Sequence, residues 1–137
     1  MLAGSSEEIL KPNHDGKSNM AARRVLLEVG TGNDWHGGDY TKAAVRAVQD
    51  AIHHCSLTFV KGLNVDADSM LVEVTIGVQK PGQVDHAKVK AALPHGDVRV
   101  QVVPGGLDVP NQGSGDVTVI ANAAIVVSAD IRLASDT

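Results

Sequence analysis

Aromatic side chains are nearly absent from this chain: one Phe, one Trp and one Tyr stand among 137 residues, so the 43% apolar share rests on Val, Ala, Leu and Ile. A core of such residues packs well but is thin. Association of copies is therefore expected to supply further apolar burial, with a trimer of sheets around a central axis as the favoured form. Cysteine is also scarce. Cys55 has no second thiol to bridge to, which excludes an internal disulfide and fits a reducing, cytoplasmic compartment. An excess of positive charge is missing too: the formal net charge is −4, so the concentrated basic patch that phosphate neutralisation requires is not there, and nucleic acid is excluded as a partner. No apolar run approaches the ~20 residues of a membrane span, so no membrane partner is expected. The acidic start Met1-Leu2-Ala3-Gly4-Ser5-Ser6-Glu7-Glu8 lacks the basic and apolar regions of a secretory signal.

What is present reads as one domain with one core. Residues 1–22, rich in Ser, Gly, Asn and charge and carrying Pro12, His14 and Asp15, are read as a disordered N-terminal extension. Residues 23–131 form a single α/β domain, and 132–137 a flexible tail. The β-branched run Val25-Leu26-Leu27-Glu28-Val29, bounded by Gly30, predicts a first strand. Asp39 or Thr41 caps a helix running to about Cys55, with Ala44, Val45, Val48, Ala51, Ile52 and Cys55 on its apolar face. Residues 70–78 predict a second strand ended by Lys80-Pro81-Gly82. Val84, Ala87, Val89, Ala91, Ala92 and Leu93 mark a shorter helix, with Asp85 in its first turn and Pro94 at its end. Residues 98–103 alternate as a third strand, 107–116 form a turn-rich loop, and 117–127 a long fourth strand. The resulting order, β-α-β-α-β-β, fits an α+β two-layer sandwich: a four-stranded mixed sheet with both helices on one face, the other face meeting symmetry mates as in a trimer of sheets, and the third and fourth strands paired.

The densest chemistry lies in Gly30-Thr31-Gly32-Asn33-Asp34-Trp35-His36-Gly37-Gly38-Asp39. If the chain is still extended here, Asp34 and His36 project to the same side and reach one ion or one substrate. Gly30, Gly32, Gly37 and Gly38 let a ligand approach the backbone, and Lys42, one turn into the helix, adds charge for a bound anion. Asp-x-His plus a distant His also meets the ligand count of a catalytic divalent metal such as zinc or manganese, with His54 at the edge of the helix core face as the third ligand. The competing reading is a structural turn, in which Asp34 caps backbone amides and His36 bonds nearby. A second candidate is the loop with Gly105, Gly106 and Asp108, where two adjacent glycines allow a ligand or a neighbouring subunit to come close. Cys55 reads as a small buried hydrophobe, and His86 and His95 as surface residues.

The same run reproduces a G-x-G-x-D-x-H-G signature and resembles the conserved hypothetical Lin0512 family. The likeness continues through Thr41-Lys42-Ala43-Ala44-Val45-Arg46-Ala47-Val48, Val84-Asp85-His86-Ala87-Lys88-Val89-Lys90, Pro94-His95-Gly96-Asp97-Val98 and Gly105-Gly106-Leu107-Asp108-Val109-Pro110, from about Arg24 to Val127. The family carries no assigned function. A remoter likeness is to methylerythritol cyclodiphosphate synthases, which also run from a strand into G-x-G-x-D-x-H. That resemblance implies divalent-metal binding by Asp34 and His36, with His53 or His54 as a third ligand. The combined expectation is a small homo-oligomeric enzyme, of hydrolase or lyase type, acting on a small polar metabolite with Asp34 and His36 as catalytic groups. The alternative is a non-catalytic oligomer that binds a small anion or supports an assembly.

Overall fold

In the first strand, glycines stand where side chains would otherwise fill the space under a helix. A computed structural model describes residues 23–53, 70–93 and 96–129. In it β1 runs from Arg23 to Asp34, straight through Gly30 and Gly32, and α1 from Tyr40 to His53. A Cβ built on Gly32 would lie 2.2 Å from the Ala47 nitrogen, and one on Gly30 would lie 2.4 Å from the Ala47 oxygen. The backbone of α1 therefore rests directly on β1. Ala43, Ala47 and Ala51, each fully buried, supply the matching small-residue face of the helix. This places the buried face one position away from the expected one: Val45 and Ile52 are only partly buried, while Tyr40, Ala43 and Ala47 join Ala44, Val48 and Ala51 inside.

The remaining elements are β2 (Leu71–Val78), a 3-10 turn (Pro81–Gln83), α2 (His86–Ala91), β3 (Asp97–Pro104), β4 (Leu107–Pro110) and β5 (Val117–Ala129). The sheet has five strands, not four. Its order is β1-β5-β2-β3, with β4 beside β5. The expected pairing of the third strand with the last long strand is corrected: β3 pairs with β2 in parallel, and β5 lies antiparallel between β1 and β2. A strand reached from its predecessor through a helix returns in the same direction, so β2-α2-β3 comes out parallel. β5 is then the strand that fills the space between β1 and β2, which α1 joins across it.

The fifth strand, β4, lies within the segment read as a loop. Chain leaving β3 crosses over the end of β2 at Gly105 and Gly106 and drops in beside β5, where Leu107 pairs with Ile120 and Pro110 with Val117. The crossing is tight. A Cβ on Gly105 would lie 3.0 Å from the Gly77 Cα. On Gly106, whose φ is +58°, it would lie 2.1 Å from the Ile120 oxygen. The paired glycines thus serve a strand crossover, where larger residues would clash.

Residues 72, 74, 76 and 78 of β2 and 119, 121, 123, 125 and 127 of β5 face the helices in one continuous core, joined by Val89 of α2 and Val98 of β3. The opposite face carries no helix among the described residues. By register it bears Leu27, Val29, Leu107 and Val109, all exposed, with Thr75, Asn122 and Ala124 between them. Asp85 is the N-cap of α2, accepting from Ala87 N at 3.0 Å and Lys88 N at 3.4 Å. No described helix is long and apolar enough to cross a membrane. The expectations for residues 1–22 and 132–137, for Cys55, and for Pro94 and His95 fall outside the described residues.

Candidate functional site

At Asp34 the strand ends and the chain must turn through Trp35, His36 and Gly37 to enter α1. The Asp34 side chain organises that turn. Its Oδ2 accepts the Gly37 amide at 3.1 Å and the Asp39 amide at 2.9 Å, and Oδ1 faces the Arg46 guanidinium at 3.8 Å and the Lys42 ammonium at 4.0 Å. The residue is 6% exposed. A buried carboxylate between two amides and two cations has its charge already answered within the fold. Asp39 then caps the helix: its Oδ1 accepts the Lys42 amide at 3.0 Å and its carbonyl the Ala43 amide. Thr41, the other candidate cap, instead ties the helix start to the second crossover, accepting from the Asp85 amide and donating to the Gln83 carbonyl.

His36 points the other way. Its Nδ1 lies 3.3 Å from Asp116 Oδ2, eighty residues along the chain. Asp116 is fixed in turn by Asn111 Nδ2 at 3.0 Å and by the Ser114 hydroxyl. Those bonds hold its carboxyl below the usual carboxylate range, the Ser114 and Asn111 donors outweighing partial burial and His36 adding to the effect. The turn that carries Asp116 also grips the first loop: Asn111 Nδ2 and Thr118 Oγ1 both donate to the Trp35 carbonyl, at 2.9 and 3.1 Å. With Asp116 an anion at neutral pH, the proton of the neutral ring is drawn to Nδ1, leaving Nε2 as the acceptor.

Tyr40 opens α1 and is buried, and its hydroxyl donates to Asp108 Oδ2 on β4. Burial, followed by the hydrogen bond to Asp108 and that carboxylate's charge, pushes the phenol up from 10.0 to about 12. Asp108 Oδ1 is buried with no partner among the described residues. Between these two pairs lies a cleft of ≈ 290 Å³ lined by His36, Gly37, Gly38, Tyr40, Asp108 and Asp116, with Lys80 and Gln83 from the segment after β2.

Of the residues singled out from the sequence, the fold brings His36, Gly37, Gly38 and Asp108 to this cleft. It takes Asp34 beneath the turn, Gly30 and Gly32 under α1, Gly105 and Gly106 to the crossover, and Lys42 to the outer side of α1 with Arg46 and Lys88. Asp34 and His36 therefore do not converge on one point, because the chain leaves the extended conformation between them. His54, the third ligand in the metal reading, lies outside the described residues, and among the described residues no three His, Cys, Asp or Glu side chains are grouped to hold a metal ion. The residues the sequence reading missed are Tyr40, Lys80 and Asp116. Tyr40 carried a signal as the one tyrosine of the chain, directly after the capping Asp39.

The model of the conserved hypothetical family Lin0512_fam matches residues 24–127. Among solved structures, the chain is similar to an FtsZ-like protein of unknown function from Nostoc punctiforme, at 36% sequence identity and a TM-score of 0.72, over 80% of this chain and 98% of that one. No curated protein matches.

Proposed function

The chain belongs to the Lin0512 family of conserved hypothetical proteins, and within that family we propose that it binds a small polar metabolite in the cleft between the first loop and β4, and transfers a proton on it. The observation that carries this reading is the His36–Asp116 pair, placed at the cleft beside the Tyr40–Asp108 pair. A histidine whose Nδ1 is engaged by a carboxylate offers Nε2 as a base, and returns the proton as an acid later in a cycle. Asp108 Oδ1 supplies a desolvated acceptor for a hydroxyl or ammonium group of the ligand, and Lys80 a charge for an anionic one. In this reading Asp34 builds the loop that carries His36, and the chemistry is of hydrolase or lyase type.

The test uses Trp35, the one tryptophan, whose ring centroid lies 6.5 Å from that of His36, as a fluorescent reporter. Panels of small hydroxy acids, amino acids and amines are titrated against the wild type, and responding compounds are followed for turnover by proton NMR. The expected result is a response from at least one class that disappears in His36→Ala and Tyr40→Phe, persists in Lys42→Ala, and is accompanied by turnover. A response that survives His36→Ala would place the ligand elsewhere.

A second reading, a non-catalytic assembly protein, draws on the exposed Leu27, Val29, Leu107 and Val109 of the open sheet face and on the FtsZ-like description of the similar structure. Binding without turnover across the panel would favour it.

A further inference from the structure

The two long edges of β1 are treated differently by the fold. One pairs with β5 along its length. On the other edge, Thr31 N donates to Asp50 Oδ2 at 2.9 Å and the Asn33 carbonyl accepts from Arg46 at 2.7 Å, so α1 closes that stretch with its own side chains. Backbone groups of alternate strand residues point to the same edge. Val29 and Leu27 therefore aim their N–H and C=O groups outward as Thr31 and Asn33 do, yet these groups have no partner among the described residues. Their side chains are 65% and 61% exposed on the open face. A bulge between Arg24 and Leu26 ends the open stretch on the far side. Neither a lysine, a proline nor a bulge lies within it, and its one charge is that of Glu28.

We propose that this open stretch pairs with the same stretch of a second copy, antiparallel across a twofold axis, so that two sheets become one. The slot offers two donors and two acceptors between its closures. An antiparallel copy, setting Leu27 opposite Val29 and Val29 opposite Leu27, satisfies them all with about four hydrogen bonds. It also joins the exposed Leu27 and Val29 side chains of both copies on the open face, removing apolar surface from water. The segment preceding β1 is a poor rival occupant. Residues 1–22 carry Gly4, Pro12 and Gly16 and show no alternation of apolar and polar residues to match a strand. This arrangement is twofold, in place of the threefold form expected from the open sheet face. It has a built-in cost: Glu28, between the two pairing residues, meets its own counterpart across the axis, and like charges directly opposed on a sheet repel.

The experiment is sedimentation velocity on the full chain over a concentration series, with Val29→Pro, Leu27→Lys and Glu28→Gln, each checked for native circular dichroism. Proline at 29 removes an outward amide and leaves the β5 ladder whole, so loss of association in a folded variant reads the edge alone. The wild type is expected to dimerise. Val29→Pro and Leu27→Lys weaken the dimer by about tenfold or more, and Glu28→Gln tightens it by roughly two- to fivefold. A wild type still monomeric at about 100 µM, a dimer indifferent to both edge variants, or a Glu28→Gln dimer no tighter than the wild type would each overturn the proposal.

Discussion

The Tyr40 hydroxyl donates to the Asp108 carboxylate, joining the first turn of α1 to β4 across 68 residues of sequence. The bond links the two segments that wall the cleft, and it sets a buried phenol against a half-buried carboxylate.

Because Tyr40 is the one tyrosine of the chain, absorbance near 295 nm titrates it alone. Its folded-state value is raised from 10.0 to about 12, so the folded protein holds the proton more tightly than the unfolded chain. The stability this supplies is fully present below pH 10.0 and is lost as pH rises through about 12. The native titration is expected to show a midpoint near 12 that falls in Asp108→Asn and returns to the ordinary value on unfolding. A native midpoint near 10 would show the phenol to be neither buried nor bonded.

Asp34→Ala should destabilise the fold by about 1–3 kcal/mol, because it strands the amides of Gly37 and Asp39 and leaves Lys42 and Arg46 without their carboxylate. Asp34→Asn keeps one acceptor oxygen and should lose less. Urea denaturation of both variants reads the difference. A catalytic Asp34 would instead lose activity with stability unchanged.

Gly32→Ala puts a methyl group 2.2 Å from the Ala47 nitrogen, and α1 cannot move away without opening the core. The expected loss is about 3 kcal/mol or more, or failure to fold. Gly82, with nothing within 4 Å of its built Cβ, is the control: Gly82→Ala should change stability by no more than about 0.5 kcal/mol. Thermal melts of the pair test whether the glycines of the motif serve helix packing.

Asp116 should titrate below its ordinary value of 3.8, since Ser114 and Asn111 stabilise its anion. The stability it contributes is present above the unfolded value and is lost as pH falls through the lower folded one. Carbon-13 NMR of the side-chain carboxyl checks this directly, and Ser114→Ala should move the midpoint up. A wild-type midpoint at or above 3.8 would mean that the loop does not hold the anion.

The sequence reading of the elements failed where local pattern and tertiary demand differ. Gly30 and Gly32 look like the end of a strand, since glycine packs nothing on a pleated surface, yet β1 runs on through them because the backbone of α1 needs that space. Leu107–Pro110 looks like loop because glycines precede it and a proline closes it; it is a strand only because β5 offers Ile120 to Val117 as a partner.

By itself the sequence determined the family, the α+β class and the order of the longer strands and the two helices, and it narrowed the cap of α1 to Asp39 or Thr41, because spacing and caps act over a few residues of chain. Only the tertiary structure decided that β5 lies between β1 and β2, that Asp34 turns inward while His36 turns out, and that His36 meets Asp116 and Tyr40 meets Asp108. Those partners lie 80 and 68 residues apart, and what brings them together is the docking of β4 and β5 against the start of α1, which no local period records.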